Sequence, residues 1–155
     1  SAIQMHEAVT AHAADVDAVI MAAAVADYMP VSRSTQKVTK SDDDLHVQLT
    51  RTPDILADLG RRRAAAGHGP VLVGFAAETE QVVERARRKR ERKQVDAIVA
   101  NDVSRADAGF DVETNAVTIV TADEVTEVPL QSKRKVAAAI LDRVDALLRA
   151  QPVRA

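Results

Sequence analysis

Hydrophobic and polar positions change rhythm several times along this chain, and each change marks an element. After Ser1, a residue suited to capping a helix, the apolar positions Ile3, Met5, Ala8 and Val9 recur at roughly helical spacing. Ala18-Val19-Ile20-Met21-Ala22-Ala23 is then a continuous apolar run between Asp17 and Asp27. Such a run predicts a strand covered on both faces. Residues 28–36 are polar and include Pro30, which predicts a loop. Leu45-His46-Val47-Gln48-Leu49-Thr50 alternates strictly, the pattern of a strand with one buried and one wet face.

Thr52-Pro53-Asp54 reads as a helix start, with Thr52 as cap, Pro53 in the first turn and Asp54 at the positive helix end. That helix should run to about Ala66 and stop near Gly67. Val71-Leu72-Val73-Gly74-Phe75 is a buried strand, residues 79–93 a charged helix capped by Thr79, and Ala97-Ile98-Val99-Ala100 another buried strand. Residues 115–120 and 124–130 alternate on either side of Thr121-Ala122-Asp123, predicting a hairpin at the sheet margin. Ser132 opens a last amphipathic helix through Val136, Ile140, Leu141, Val144, Leu147 and Leu148.

Repeated strand–helix alternation predicts an α/β fold, a Rossmann-like open and mostly parallel sheet flanked by helices, with a marginal β-hairpin. Residues 1–150 read as a single domain and 151–155 as a frayed tail. Ligands of such sheets collect beyond the carboxyl ends of the strands. The positions to inspect are therefore residues 24–27 and 76–79, with Asn101 and Asp102.

Composition narrows the choices. Aromatic residues are 2% of the 155, so Ala, Val, Ile and Leu must build the interior, and base-stacking platforms are scarce. The net charge of −2 offers no general attraction for nucleic acid or an anionic membrane. The absence of cysteine excludes disulfides and thiolate metal sites, and no apolar run reaches transmembrane length. Cytoplasmic residence is the expectation. The four histidines are scattered and read as surface residues.

No G-x-G-x-x-G or Walker A text is present. What stands out is small residues at strand ends. Ala22-Ala23-Ala24-Val25-Ala26 lets a flat ligand approach the backbone, and Asp27 could accept from a ribose hydroxyl or hold a divalent cation. The alternative is a packed strand with a solvated aspartate. Gly74 permits close approach, and Phe75 is either a core residue or an edge against a nucleobase. Lys37 with Lys40, and Lys89 with Lys93 one helical turn apart, could answer a polyphosphate; a merely solvated helix face is the competing explanation.

Taken together, Ala23-Ala24-Val25-Ala26-Asp27-Tyr28 with Pro30, Lys37 and Lys40, and Thr52-Pro53-Asp54-Ile55-Leu56 resemble the phosphopantothenoylcysteine synthetase family. So do residues 73–79, Lys89 with Lys93, residues 96–104, Gly109-Phe110 and Asn115. The resemblance implies a CTP-dependent ligase of coenzyme A biosynthesis, acting on 4′-phosphopantothenate and L-cysteine with Mg2+ or Mn2+. FMN enters only if a decarboxylase domain is fused. It further implies CTP contacts at Met21, Ala22, Ala23, Asp27, Lys37, Pro53, Asp54, Ile55, Leu56, Phe75, Lys89 and Lys93. Lys37 would be catalytic and Asp27 the candidate metal ligand, while Asn101 and Asp102 would shape the site. Family members are homodimers, and residues 45–50 form a strand that could pair two subunits.

The chain departs from the family in lacking a basic residue at Thr39 and near Met29. It also lacks the family's N-terminal segment with its glycine-rich turn, so this piece is expected to be inactive alone. Two other functions fit the fold pattern, a non-catalytic nucleotide-binding module and a dinucleotide-dependent oxidoreductase domain. Neither a nucleic-acid nor a membrane partner is expected.

Overall fold

A computed structural model of the chain describes residues 1–32, 34, 36, 37, 39, 44–103 and 112–151. Along them run α1 (Ala2–His12), β1 (Ala18–Met21), β2 (Tyr28–Pro30), β3 (Leu49–Arg51), α2 (Ile55–Ala66) and β4 (Val71–Glu78). Then follow α3 (Val82–Lys93), β5 (Ala97–Asp102), β6 (Thr114–Val120), β7 (Val125–Ser132) and α4 (Lys133–Ala150). Five strands form one sheet in the order β1-β4-β5-β6-β7, and β2 pairs with β3 in a separate antiparallel ribbon. β1, β4 and β5 are parallel, while β6 and β7 return antiparallel as the marginal hairpin. This is the Rossmann-like α/β sheet that strand–helix alternation predicts.

Alternation in the central strands feeds two cores. Leu72 and Ala76 of β4, with Ile98 and Ala100 of β5, pack with Leu56, Leu59, Ala86 and Val95 on the side of α2 and α3. Val71, Val73, Ala97 and Val99 turn to the other face and meet Val136, Ile140 and Val144 of α4. Each fully buried Val, Leu or Ile contributes about 1.5–3 kcal/mol. Neither cluster contains an aromatic ring, so breadth of aliphatic contact does the work that a few large rings do elsewhere.

Several local expectations are corrected. The run 18–23 forms strand only over Ala18–Met21, and β1 is an edge strand with Ile20 38% exposed, not a strand covered on both faces. Tyr28–Pro30, expected as loop, is β2. Of residues 45–50 only Leu49 and Thr50 are strand, and no face is buried, because the partner is the short exposed β2 and no core lies beneath. Thr52 does not cap α2. Asp54 does, accepting from the Ala57 N–H at 3.1 Å, because Asp54 is where the backbone turns extended before the first helical residue. Thr79 does not cap α3 either, since β4 runs on to Glu78 and the cap position falls on Gln81, in the left-handed region without a side-chain bond. His6 is not a free surface residue, as its Nε2 lies 3.0 Å from Asp58 Oδ2.

Two glycines set how α2 lies on the sheet. At Gly74 a β-carbon would stand 2.4 Å from Leu56 Cδ2, so the glycine of β4 makes room for the helix. At Gly60 it would stand 1.9 Å from the Lys93 carbonyl oxygen at the end of α3. Arg63 locks the same corner. It pairs with Asp96 and donates to the Pro70 carbonyl at 3.1 Å and the Gln94 carbonyl at 2.8 Å. Asp96 in turn accepts from the Leu72 N–H at 2.7 Å, tying the starts of β4 and β5 together.

In an exposed helix, Gly→Ala gains about 1 kcal/mol. Here the backbone clash outweighs that gain, and Gly60→Ala should lose about 1–3 kcal/mol. Chemical denaturation of the variant checks this; an unchanged or raised stability would show that the α2–α3 contact yields easily.

Candidate functional site

At the carboxyl edge of β1 and β4 a cleft of about 540 Å³ opens. The chain leaving β1 supplies Met21, Ala23, Ala24, Val25 and Asp27, and the approach to α2 supplies Thr52, Pro53, Asp54, Ile55 and Leu56. Phe75 and Ala77 come from β4, and Lys89, Arg92 and Lys93 from one face of α3. Thr52 holds the first two segments together. Its N–H donates to the Asp27 carbonyl at 3.0 Å and its Oγ1 to the Ala26 carbonyl at 2.5 Å. A residue expected to cap the helix instead joins the strand exit to the helix approach.

The cations are not equivalent. Lys93 Nζ donates to both oxygens of Asp54, at 2.6 and 2.7 Å. Burial pushes the Asp54 carboxyl up, but the Lys93 hydrogen bond, the Ala57 N–H and the nearby Lys93 and Arg92 charges together hold it below its ordinary value of 3.8. Lys89 and Arg92 form no ion pair among the described residues. Burial first, then the neighbouring Lys93 charge, lowers the Lys89 pKa from its ordinary 10.5, against the opposing pull of Glu78 and Asp54. A half-buried ammonium crowded by like charges is costly, and a bound anion would relieve it.

Met21, Ala23, Asp27, Pro53, Asp54, Ile55, Leu56, Phe75, Lys89 and Lys93 all line this one cleft, although the sequence scatters them over 73 residues. Ala22 and Lys37 do not line it. Ala22 sits in the tight exit from β1, its N–H bonded to the Ile20 carbonyl at 3.2 Å, and Lys37 is exposed. Lys40 and residues 104, 109 and 110 lie outside the described residues. Phe75 is 36% exposed in the cleft rather than part of either core. The space beside Gly74 is filled by Leu56, not left for a ligand. Arg92 went unnoticed in the sequence, though its spacing of three from Lys89 on a helix places it on the same face.

The fold and this cleft define an α/β domain with a cationic, small-residue site at the carboxyl ends of its parallel strands. A family model for the DNA/pantothenate metabolism flavoprotein C-terminal domain matches residues 1–148, and the chain belongs to that family. It is 43% identical over 148 residues to the coenzyme A biosynthesis bifunctional protein CoaBC of Bacillus subtilis, covering 95% of this chain and 36% of that protein. To CoaBC of Vibrio vulnificus it is 40% identical over 150 residues, covering 96% of this chain and 37% of that protein. Among solved structures, the C-terminal domain of a CoaBC matches with a TM-score of 0.76 at 38% identity, over 97% of this chain and 64% of that one. The chain thus spans a little over a third of these curated relatives. The resemblance drawn from the strand-end motifs agrees with these matches.

Asp54→Asn keeps a helix cap but removes the charge that Lys93 holds. Because the folded carboxyl titrates below 3.8, its stabilisation is complete above that pH and disappears as the pH falls through the lower folded value. The pair is partly exposed, so the loss at pH 7 should be about 1 kcal/mol or less after screening. Denaturation curves of the two proteins should converge below the carboxylate range; a gap that widens in acid would contradict the pairing.

Proposed function

We propose that the cleft is the CTP-binding part of a phosphopantothenate–cysteine ligase of coenzyme A biosynthesis. In this reaction a carboxylate oxygen of 4′-phosphopantothenate attacks the α-phosphorus of CTP and pyrophosphate leaves. The amine of L-cysteine then attacks the acyl carbon of the acyl-cytidylate, and CMP departs with the bonding electrons. Cytidylate leaves far more readily than oxide, and positioning with charge stabilisation supplies most of the rate. The observation that carries the proposal is the gathering of Lys89, Arg92 and Lys93 opposite Ala23 and Ala24 in one cleft of a chain from this family.

On this reading Met21 and Ala23 allow the nucleotide against the backbone, Phe75 offers an edge to the base, and backbone groups near Pro53 and Ala76 select cytosine. Ala22 belongs to the same strand exit. Lys89 and Arg92 offset phosphate charge, and Ile55, Leu56 and the Asp54–Lys93 pair shape the wall beside them. Lys37 lies outside the cleft, so its catalytic role on the reacting phosphate requires it to come over the bound nucleotide. Among the described residues no group of three or more His, Cys, Asp or Glu could hold a metal ion. Asp27 would be the protein carboxylate that holds Mg2+ or Mn2+, and the ion would neutralise triphosphate charge. FMN belongs to a decarboxylase domain where one is fused. No described helix is long and apolar enough to cross a membrane, and we place the protein in the cytoplasm.

Binding of CTP, ATP and NAD to the intact protein tests the proposal. A clear preference for CTP is expected, whereas tight NAD binding would favour an oxidoreductase, and nucleotide binding without turnover a non-catalytic module. In the same assays Lys89→Ala should weaken CTP about tenfold and flatten its salt dependence. Lys37→Gln should lower turnover more than CTP affinity; equal loss in both would make Lys37 a binding residue only.

The ribbon of β2 and β3 carries the assembly proposal. Tyr28, Val31, Leu45, Val47 and Leu49 are 53%, 55%, 74%, 55% and 54% exposed, apolar residues on and beside the ribbon that a second copy would cover. Sedimentation should show a dimer for the intact protein and a monomer after Leu45→Glu with Leu49→Glu. A monomeric parent protein sinks the idea.

A further inference from the structure

Beside the cleft lies a second cavity of about 480 Å³, lined by Glu78, Arg85, Arg88, Lys89 and Arg92. Lys89 and Arg92 line both cavities, so the two are continuous along one face of α3. Arg85, Arg88, Lys89 and Arg92 follow the i, i+3, i+4, i+7 spacing that stacks side chains into a stripe. A solvated helix face would balance such a stripe with acids along its length, and here the acids gather at one end, where Arg85 also meets the exposed Glu80 at 3.9 Å. Glu78 is held by Arg85 at 3.3 Å and has only 15% of its side chain exposed. Arg88 pairs with Glu84 at 3.0 Å, but both are more than half exposed, at 69% and 56%, which makes the pair weak. Lys89 and Arg92 have no ion-pair partner among the described residues.

We propose that this annex is a separate binding site for inorganic pyrophosphate, reached directly from the nucleotide cleft through the shared Lys89 and Arg92. The proposal rests on the cleft's being a triphosphate site, since that chemistry is the source of the pyrophosphate. Glu78 opposes a polyanion, but Arg85 already neutralises it, which leaves Lys89 and Arg92 without an ion pair among the described residues and Arg88 held only by its exposed pair with Glu84. Arginine suits the task, because its planar fork meets phosphate oxygens in pairs and stays charged at every working pH. The leaving group thereby moves sideways along α3 from one cation set to the next, and its departure does not require the nucleotide cleft to empty first.

The test is calorimetric titration of the intact protein with sodium pyrophosphate, with and without saturating CTP and with no acid substrate present. Pyrophosphate is expected to bind without CTP and several-fold more weakly with CTP in place, because Lys89 and Arg92 line both cavities. Arg88→Gln removes a residue that lines the annex alone, and should weaken pyrophosphate roughly five- to tenfold, the worth of one charge-assisted contact. CTP affinity should stay within about twofold, and Arg88→Lys should recover part of the loss. Pyrophosphate binding that CTP abolishes, or that Arg88→Gln leaves unchanged, overturns the annex. If CTP fails to bind the parent protein while pyrophosphate still depends on Arg88, the annex stands and the ligase reading fails.

Discussion

Where α2 crosses the end of α3, the two backbones approach more closely than a side chain would permit, and Gly60 is the residue that allows it. The helical wall of the cleft follows from that approach. It brings Asp54, at the start of α2, within hydrogen-bonding distance of Lys93, on the last turn of α3. It also sets Leu56 into the space over Gly74 and lets Arg63 reach the Gln94 carbonyl and Asp96. The helices are thus clamped at two points on either side of Gly60, one polar contact near each end of the crossing. Without the glycine, α2 would stand off the sheet, and the cleft would lose the wall that faces its cations.

The clamp also divides the site's charges by function. Lys93 is committed to Asp54 and holds architecture, while Lys89, one turn earlier and half-buried, has no such partner among the described residues. The start of α2 adds its own positive end to the same space, with Pro53 and Asp54 at the approach. A cleft built from two cations that form no ion pair among the described residues, a helix start and small strand-end residues presents positive charge beside little side-chain bulk.

The legible parts of the sequence were those whose signals are local. Val71-Leu72-Val73 and Ala97-Ile98-Val99-Ala100 are apolar because they are central strands, and Ser132 and Gly67 mark helix ends wherever they fall. The ribbon was legible only at Leu49 and Thr50, because β2 and β3 pair across a long connection and bury little, so neither composition nor alternation marks their ends. Thr52 and Asp54 illustrate a finer failure. Both are good caps by residue type, and only the backbone turn decides that Asp54 caps while Thr52 fastens the chain to Ala26 and Asp27. The cleft residues could be singled out by motif, but their convergence depends on α2 meeting α3, which no local pattern encodes. Arg92 was lost among the charges of a helix that looked merely solvated.

The ribbon and the cleft are parts of one mechanical unit. β2 begins at Tyr28, directly after the cleft residue Asp27, and β3 ends at Arg51, directly before Thr52. The Thr52 bonds to Asp27 and Ala26 close the base of that ribbon, and Tyr28 pairs with Arg51 immediately beyond. A contact that fixed the ribbon would bear directly on the two segments that line the cleft, and a ligand holding those segments would bear on the ribbon in return. Such coupling is reciprocal by thermodynamic necessity. It needs no pathway through the core, because a single threonine joins the two regions. The exposed apolar residues of the ribbon thus adjoin Asp27 and Pro53, which line the cleft.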